Sequence, residues 1–314
     1  MGEVPANIVI IAGGGIPNVS GSAVQYTQAG IVALQLLATL ENIEAFFYAE
    51  AIHNLTTGAY TLPDNSTYVE TVEVISKIAA QEAVHVATVG AVLRLNFATV
   101  VPPCQYAFPV QDFGHFLTVA NLLTSTNFGS VIGVQEQLSG TDLAIASSTT
   151  SIIAVEARHD AFLRIMHGLI PNPSPFDSGL PVAWAYNIGL QLIVPGSCPV
   201  EVPLPTYPQL FIDGAPSWEN WAPDTYPETM GFKWDDQQEW VTREAGKQIY
   251  AAWVNLYNQP VYTNVTVSGK GVGTAEVPKD MQAVAYVALT TLMPDNFAGL
   301  QDATLAGPLA IAMS

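Results

Sequence analysis

The chain has 314 residues, 49% of them hydrophobic and only 11% charged, with 27 acidic against 9 basic side chains and a net charge of −18. That length holds one large or two medium domains around a substantial core. So few cations form no stripe that could track phosphates. The balance therefore argues against nucleic acid or an anionic membrane as partner, and the acidity reads as a solubilising surface.

Near the start, Ile8-Val-Ile-Ile-Ala-Gly13-Gly14-Gly15 looks like a strand entering a phosphate loop. Asn18 stands where the third glycine of such a loop belongs and no strand–helix–strand unit follows, so nucleotide binding is set aside. Four long helical patterns come next. The first covers about 22–53, with Leu34, Leu37, Leu40, Glu41, Glu44, Phe47, Tyr48 and Ala51 at three-four spacing. The second covers about 66–97 and carries Ile75, Ile78, Glu82, His85, Val89 and Leu93 until Pro102-Pro103-Cys104 stops it. A third spans about 112–138. A fourth, about 140–169, carries Ile153, Glu156, His159, Phe162 and Met166. Each is long enough to cross a helix bundle.

The stretch 171–239 is rich in Pro, Gly and aromatic residues, with one helix expected near 182–192. It reads as a segment wrapped on the bundle, because Trp184, Tyr186, Phe211, Trp218 and Trp221 need burial. Candidate strands follow at 249–257, 260–267, 273–277 and 283–290, separated by Gly/Asn/Asp-rich turns. The fold class is therefore α+β. A four-helix bundle over 20–170 is followed by a wrapping segment over 171–239 and a small C-terminal β module over 240–314.

No stretch reads as a membrane span, since the longest apolar run, 29–51, is broken by Glu41, Glu44 and Glu50. No signal peptide opens the chain, and cleavage before the first residue would reconcile this with secretion. Glycosylation sequons at Asn18, Asn54, Asn65 and Asn264 lean that way. Cys104 and Cys198, each beside proline, suit one structural disulfide in an oxidising compartment; two free thiols are the alternative.

The chemistry lies in two strings on separate helices, Glu82-Ala-Val-His85 and Glu156-Ala-Arg-His159. Residues three apart share a helix face, so each helix presents a carboxylate and an imidazole together. On the first helix, Glu41 and Glu44 interrupt a stripe of Leu, Ile and Phe, and buried carboxylates need a partner. Metal ions supply one, and oxygen and imidazole donors without thiolate fit iron, manganese or zinc. A hydrogen-bonded polar core without metal is the competing reading. His53, His115 and His167 lack partners at ligand spacing, and Arg158 is expected to pair with an acid such as Asp160. No Gly-x-Ser-x-Gly elbow is present for a serine hydrolase. Trp218, Trp221, Trp234 and Trp240 could stack on carbohydrate of a cell wall, but core filling is the simpler use.

At Leu40-Glu41-Asn-Ile-Glu44-Ala-Phe-Phe-Tyr48, Gln81-Glu82-Ala-Val-His85 and Val155-Glu156-Ala-Arg158-His159-Asp160, the chain resembles the ferritin-like domain family. In particular it is similar to the secreted desiccation-related proteins of plants and their fungal stress-response relatives. Pro103-Cys104-Gln-Tyr-Ala-Phe108-Pro, Asn172-Pro, Ser197-Cys198-Pro199 and Leu305-Ala-Gly-Pro308 extend the resemblance to nearly the whole chain. The resemblance implies a ferritin-like four-helix bundle with a β extension, pairing of Cys104 with Cys198, and metal ligands Glu41, Glu82, His85, Glu156 and His159. Tyr48, with Glu44 and Thr124, would stand behind those ligands. A full two-metal site of this type wants a further Glu on the third helix, where this chain has Thr124. Glu136 is over three turns away and about a third of a turn off, too far to substitute.

One or two ions, iron or manganese with zinc as a further option, are therefore expected in a secreted monomer or small oligomer that does not insert into membranes. The function implied is metal binding in stress protection. The alternatives are a catalase- or oxidase-like metal-dependent oxidoreductase and a structural extracellular protein with a vestigial site.

Overall fold

The computed structural model describes residues 4–17, 25–62, 68–213, 228–257 and 259–313. Eight helices are present among them: α1 (Ala6–Ala12), α2 (Gln28–Thr56), α3 (Tyr68–Leu95), α4 (Phe113–Leu138), α5 (Leu143–Met166), α6 (Val182–Leu190), α7 (Glu239–Arg243) and α8 (Phe297–Ala303). The strands are β1 (Leu210–Ile212), β2 (Thr229–Trp234), β3 (Tyr250–Val254), β4 (Val261–Asn264), β5 (Thr266–Gly269), β6 (Val272–Glu276), β7 (Val284–Thr290) and β8 (Thr304–Ala312). The α+β expectation holds. The N-terminal apolar run is corrected: residues 6–12 form a helix closed by Gly13 at φ 83°, the left-handed conformation that ends helices.

Helices α2 to α5 make the bundle. Thr27 caps α2, its hydroxyl oxygen accepting the Gly30 N–H at 3.2 Å while donating to Asp142 at 2.6 Å, which ties the start of α2 to the start of α5. Asp112 caps α4 by accepting the His115 N–H at 2.9 Å. The predicted starts at Ser22 and Ser66 lie outside the described residues. By length and composition α2, α3 and α4 could each cross a membrane; in the fold their apolar windows are 83%, 44% and 94% buried against the protein itself.

Helix α4 is central, and glycines let the chain press onto it. A Cβ on Gly133 would stand 1.9 Å from the Leu180 carbonyl oxygen, and one on Gly129 would stand 2.6 Å from that of Ser178. With those side chains absent, the Leu180 N–H donates to the Gly129 carbonyl at 3.2 Å, so residues 178–180 lie in a track on the helix.

All strand pairings are antiparallel, in two four-stranded sheets ordered β1-β2-β6-β5 and β4-β3-β7-β8. Strand β7 is buried on both faces. Val284, Tyr286 and Ala288 join the bundle core, while Ala285, Val287 and Leu289 join the core between the sheets, following the two-residue alternation of a strand. Two strands, β1 and β2, come from the stretch read as wrapping. Trp234 and Trp240 fill the inter-sheet core, with ring centroids 6.0 Å apart, so neither offers a carbohydrate-stacking face. Trp218 and Trp221 lie outside the described residues, as do the sequons at Asn18 and Asn65. Phe211 is exposed rather than buried, because alternation on β1 sends Leu210 inward and Phe211 out.

Cys104 and Cys198 form a disulfide that joins the α3–α4 connection to the segment after α6. Backbone bonds from Ala107 to Leu192 and from Val194 to Gln105, both 2.9 Å, zip the two segments together. This strap brings Tyr106 against Phe46 and Phe108 against Phe47, next to Tyr48. Replacing both cysteines with serine should cost about 2–5 kcal/mol, as for other disulfides closing long loops. Thermal unfolding of the double variant beside the parent checks this, with an unchanged Tm as the contrary result.

Candidate metal centre

Three helices bring their acids to one point in the bundle. Glu41 and Glu44 come from α2, Glu82 and His85 from α3, and Glu156 and His159 from α5. All four glutamates are at most 1% exposed. One donor atom each from Glu41, Glu82, His85 and Glu156 lies within 4.8 Å of all the others.

The arrangement around the two imidazoles is nearly paired. His85 Nδ1 is 2.9 Å from Glu82 Oε2, 3.2 Å from Glu156 Oε1 and 3.3 Å from Glu41 Oε2. His159 Nδ1 is 2.8 Å from Glu82 Oε1 and 3.6 Å from Glu156 Oε2. Glu82 and Glu156 thus each offer one oxygen to each imidazole. The pairing fails at the flanks, for Glu41 joins the His85 side and, among the described residues, no further carboxylate pairs with His159.

Glu44 shows why. Its carboxylate accepts from the Thr124 hydroxyl at 2.9 Å and from the Asn127 amide, both on α4, and Tyr48 donates in turn to Thr124 at 2.8 Å. The α4 residue facing the centre is therefore a hydroxyl that occupies Glu44 instead of an acid that completes the set. Glu136 lies on the outer surface, lining a groove with Asp295 and Tyr257.

Burial sets the protonation. Desolvation raises Glu41 to about 8, against the pull of His85, and raises Glu44 well above the usual carboxylate range, with the neighbouring acids adding to it. At Glu82 desolvation acts upward too, yet hydrogen bonds from His159 and His85 outweigh it and hold the group well below that range. Burial lowers both histidines, but the carboxylates around them win: His85 is raised well above its ordinary value and His159 to about 9.

Several of these atoms make no well-directed hydrogen bond among the described residues, although imidazole nitrogen stands within ion-pair distance of most of them: Glu41 Oε2, Glu82 Oε1, both Glu156 oxygens and His159 Nδ1. Buried polar atoms in folded proteins are nearly always satisfied. Oxygen and imidazole-nitrogen donors, water-poor and mutually close, fit a divalent transition metal ion.

Sequence reasoning passed over Asn127, Asn121 and the contact made by Gln81. Asn121, Thr124 and Asn127 recur at three-residue spacing on one face of α4, which is the signal that could have found them. Arg158 does not pair with Asp160: two residues apart on a helix they point away from each other, Arg158 is exposed, and Asp160 instead takes a hydrogen bond from Asn121 beside Arg164.

Residues 30–169 match the family model described as ferritin-like domain, and the bundle of this chain is such a domain. Beyond it, the chain is 23% identical to Protein rds1 of Schizosaccharomyces pombe over 282 residues, covering 74% of this chain and 68% of the relative.

The protonation pattern predicts how the ion-free protein responds to pH. Glu41 and His159 have folded pKa values above their unfolded ones, so the native state binds more protons than the unfolded chain between about pH 4.5 and 9. Stability then falls as pH rises through that window, whereas Glu82, shifted the other way, matters only below it. Chelator-treated protein should melt lower at pH 9 than at pH 6; an equal or higher Tm at pH 9 would contradict the assignment.

Proposed function

We propose that this protein binds a transition metal ion, iron or manganese, inside the bundle, and that it does so as a secreted protein in stress protection. The observation that carries the metal reading is the convergence of Glu41, Glu82, His85 and Glu156, buried donors within 4.8 Å of one another, several of whose atoms lack a well-directed hydrogen bond. Glu41, Glu82, His85 and Glu156 would hold one ion firmly. Glu82, Glu156 and His159 would form a second, weaker position that lacks a carboxylate of its own. An ion there supplies Lewis acidity and, for iron or manganese, redox chemistry. Secretion is supported by the disulfide and by the sequons at Asn54 and Asn264. The stress role rests on the resemblance to desiccation-related proteins.

A second reading, oxidoreductase activity of catalase or oxidase type, is favoured by the weaker position, where three protein donors leave coordination sites for a small oxygen species. Metal analysis of protein purified without chelator or added metal tests the first reading. Near one equivalent of iron or manganese is expected, and less than a tenth of an equivalent of any transition metal would sink it. A peroxide-disproportionation assay on the same sample tests the second reading.

Ligand roles are separable by substitution. Glu41→Gln removes a member of the converging set and should weaken the firm position about a hundredfold, as loss of a direct ligand does. Glu44→Gln should leave it within about threefold, because Thr124 and Asn127 already satisfy that carboxyl. Equal losses in the two variants, measured by chelator competition, would show that Glu44 ligates the ion.

A further inference from the structure

Helix α1 supplies no ligand, yet it reaches the centre through one side chain. Ala12 at its end is buried against Ala80 and Val84 of α3, with Val4 and Ile8 packed alongside. Lys77 brings its ammonium beside Gly13, where the carbonyls of the helix end concentrate negative charge. One turn further along the same face of α3, Gln81 Nε2 donates to the Ala12 carbonyl at 3.2 Å. The other end of that amide, Oε1, lies 2.7 Å from His159 Nε2 on α5. A single glutamine therefore spans α1, α3 and α5.

The contact with Ala12 fixes which way the amide points. Flipping it would set Oε1 against a carbonyl oxygen and the amide NH2 against His159, losing the bond to α1. Held as it is, Oε1 can only accept, so His159 Nε2 must carry a proton. When His159 gives up one proton to bind a metal, the one on Nε2 is retained and the lone pair appears on Nδ1, the atom that faces Glu82 and Glu156.

We propose that Gln81, anchored by α1, is a positioning residue that selects the metal-binding nitrogen of His159 and thereby holds the second ion position. This rests on the metal reading above. It assigns the N-terminal helix a role in metal retention. It also predicts an unequal effect, because the Gln81 amide is hydrogen-bonded to His159 and Ala12 while the His85 ring nitrogen Nδ1 is held by carboxylates.

The test uses Zn2+ as a diamagnetic probe on the full chain, by chelator competition and by 15N NMR of labelled histidines. In wild-type protein two classes of Zn2+ site are expected, with the His159 Nε2 proton retained on loading and the Nδ1 resonance shifted by metal. Gln81→Met keeps the volume and removes the acceptor; it should weaken the second class by tenfold to a hundredfold and leave the first within about threefold. Gln81→Glu keeps an acceptor for Nε2–H but loses the N–H that donates to Ala12, and should recover only part of the loss. Circular dichroism and thermal melting confirm that each variant is folded. Unchanged second-class affinity in Gln81→Met, equal weakening of both classes, or metal on Nε2 of His159 would each overturn the proposal while leaving the metal reading intact. Wild-type protein that takes up a single Zn2+ would remove the second position and this proposal with it. Wild-type protein that takes up none would remove the metal reading as well.

Discussion

The structure turns on the placement of four carboxyl groups in a largely apolar bundle interior. An ionised carboxylate without a partner in such surroundings costs several kcal/mol. The chain meets this constraint differently for each acid. Glu82 is ionised against two imidazoles. Glu41 keeps its proton near neutral pH unless a stronger cation arrives. Glu44 is given hydroxyl and amide donors from the neighbouring helix. Glu156 lies between the two histidines with neither oxygen in a well-formed hydrogen bond. Only convergence of α2, α3 and α5 makes these solutions available together, so the bundle and the centre specify one another.

The asymmetry of the centre comes from α4, and the rest of the fold holds α4 where it is. Residues 178–180 lie against its glycines, α6 and β8 pack on it, and Asn121 is committed to Asp160. Thr124 and Asn127 are consequently fixed donors, not side chains free to swing aside. A bundle helix that presents donors where a further acid could stand turns one α2 carboxylate away from the metal position. The β sandwich thus bears on the chemistry indirectly, by backing the helix that breaks the symmetry.

Much of this could be read before any coordinates. Three-four spacing located four helices, and the twin Glu-x-x-His strings with Glu41 marked where they meet, because burial and spacing are local properties of a sequence. Strands β3, β6 and β7 were visible as β-branched and aromatic runs, and the single run expected at 260–267 divides into β4 and the start of β5 in different sheets. What escaped depended on contacts distant in sequence. Strands β1 and β2 are short and take their stability from β6, and β8 carries Gly307-Pro308, which disguises a strand. The apolar run at 6–12 has no intrinsic reason to choose helix over strand; packing on Ala80 and Val84 decides it. Phe211 was misplaced for a similar reason, since the facing of a three-residue strand is set by its neighbour's register.

The choice between a metal site and a relict polar core can be weighed inside this one molecule. Glu44 shows what a buried carboxyl looks like when protein groups have satisfied it: both oxygens accept, from a hydroxyl and an amide on a single fixed helix. A core that had settled into a polar network without metal would be expected to treat its other acids in the same way, because a partly satisfied network is worse than an apolar one. Glu156, one helix away and just as buried, is not treated so. Its oxygens and those of Glu82 and Glu41 point instead toward a shared region flanked by imidazole nitrogens. The contrast between Glu44, committed to α4, and Glu41, Glu82 and Glu156, whose oxygens converge beside the imidazoles, favours a cation as the common partner over a relict polar core.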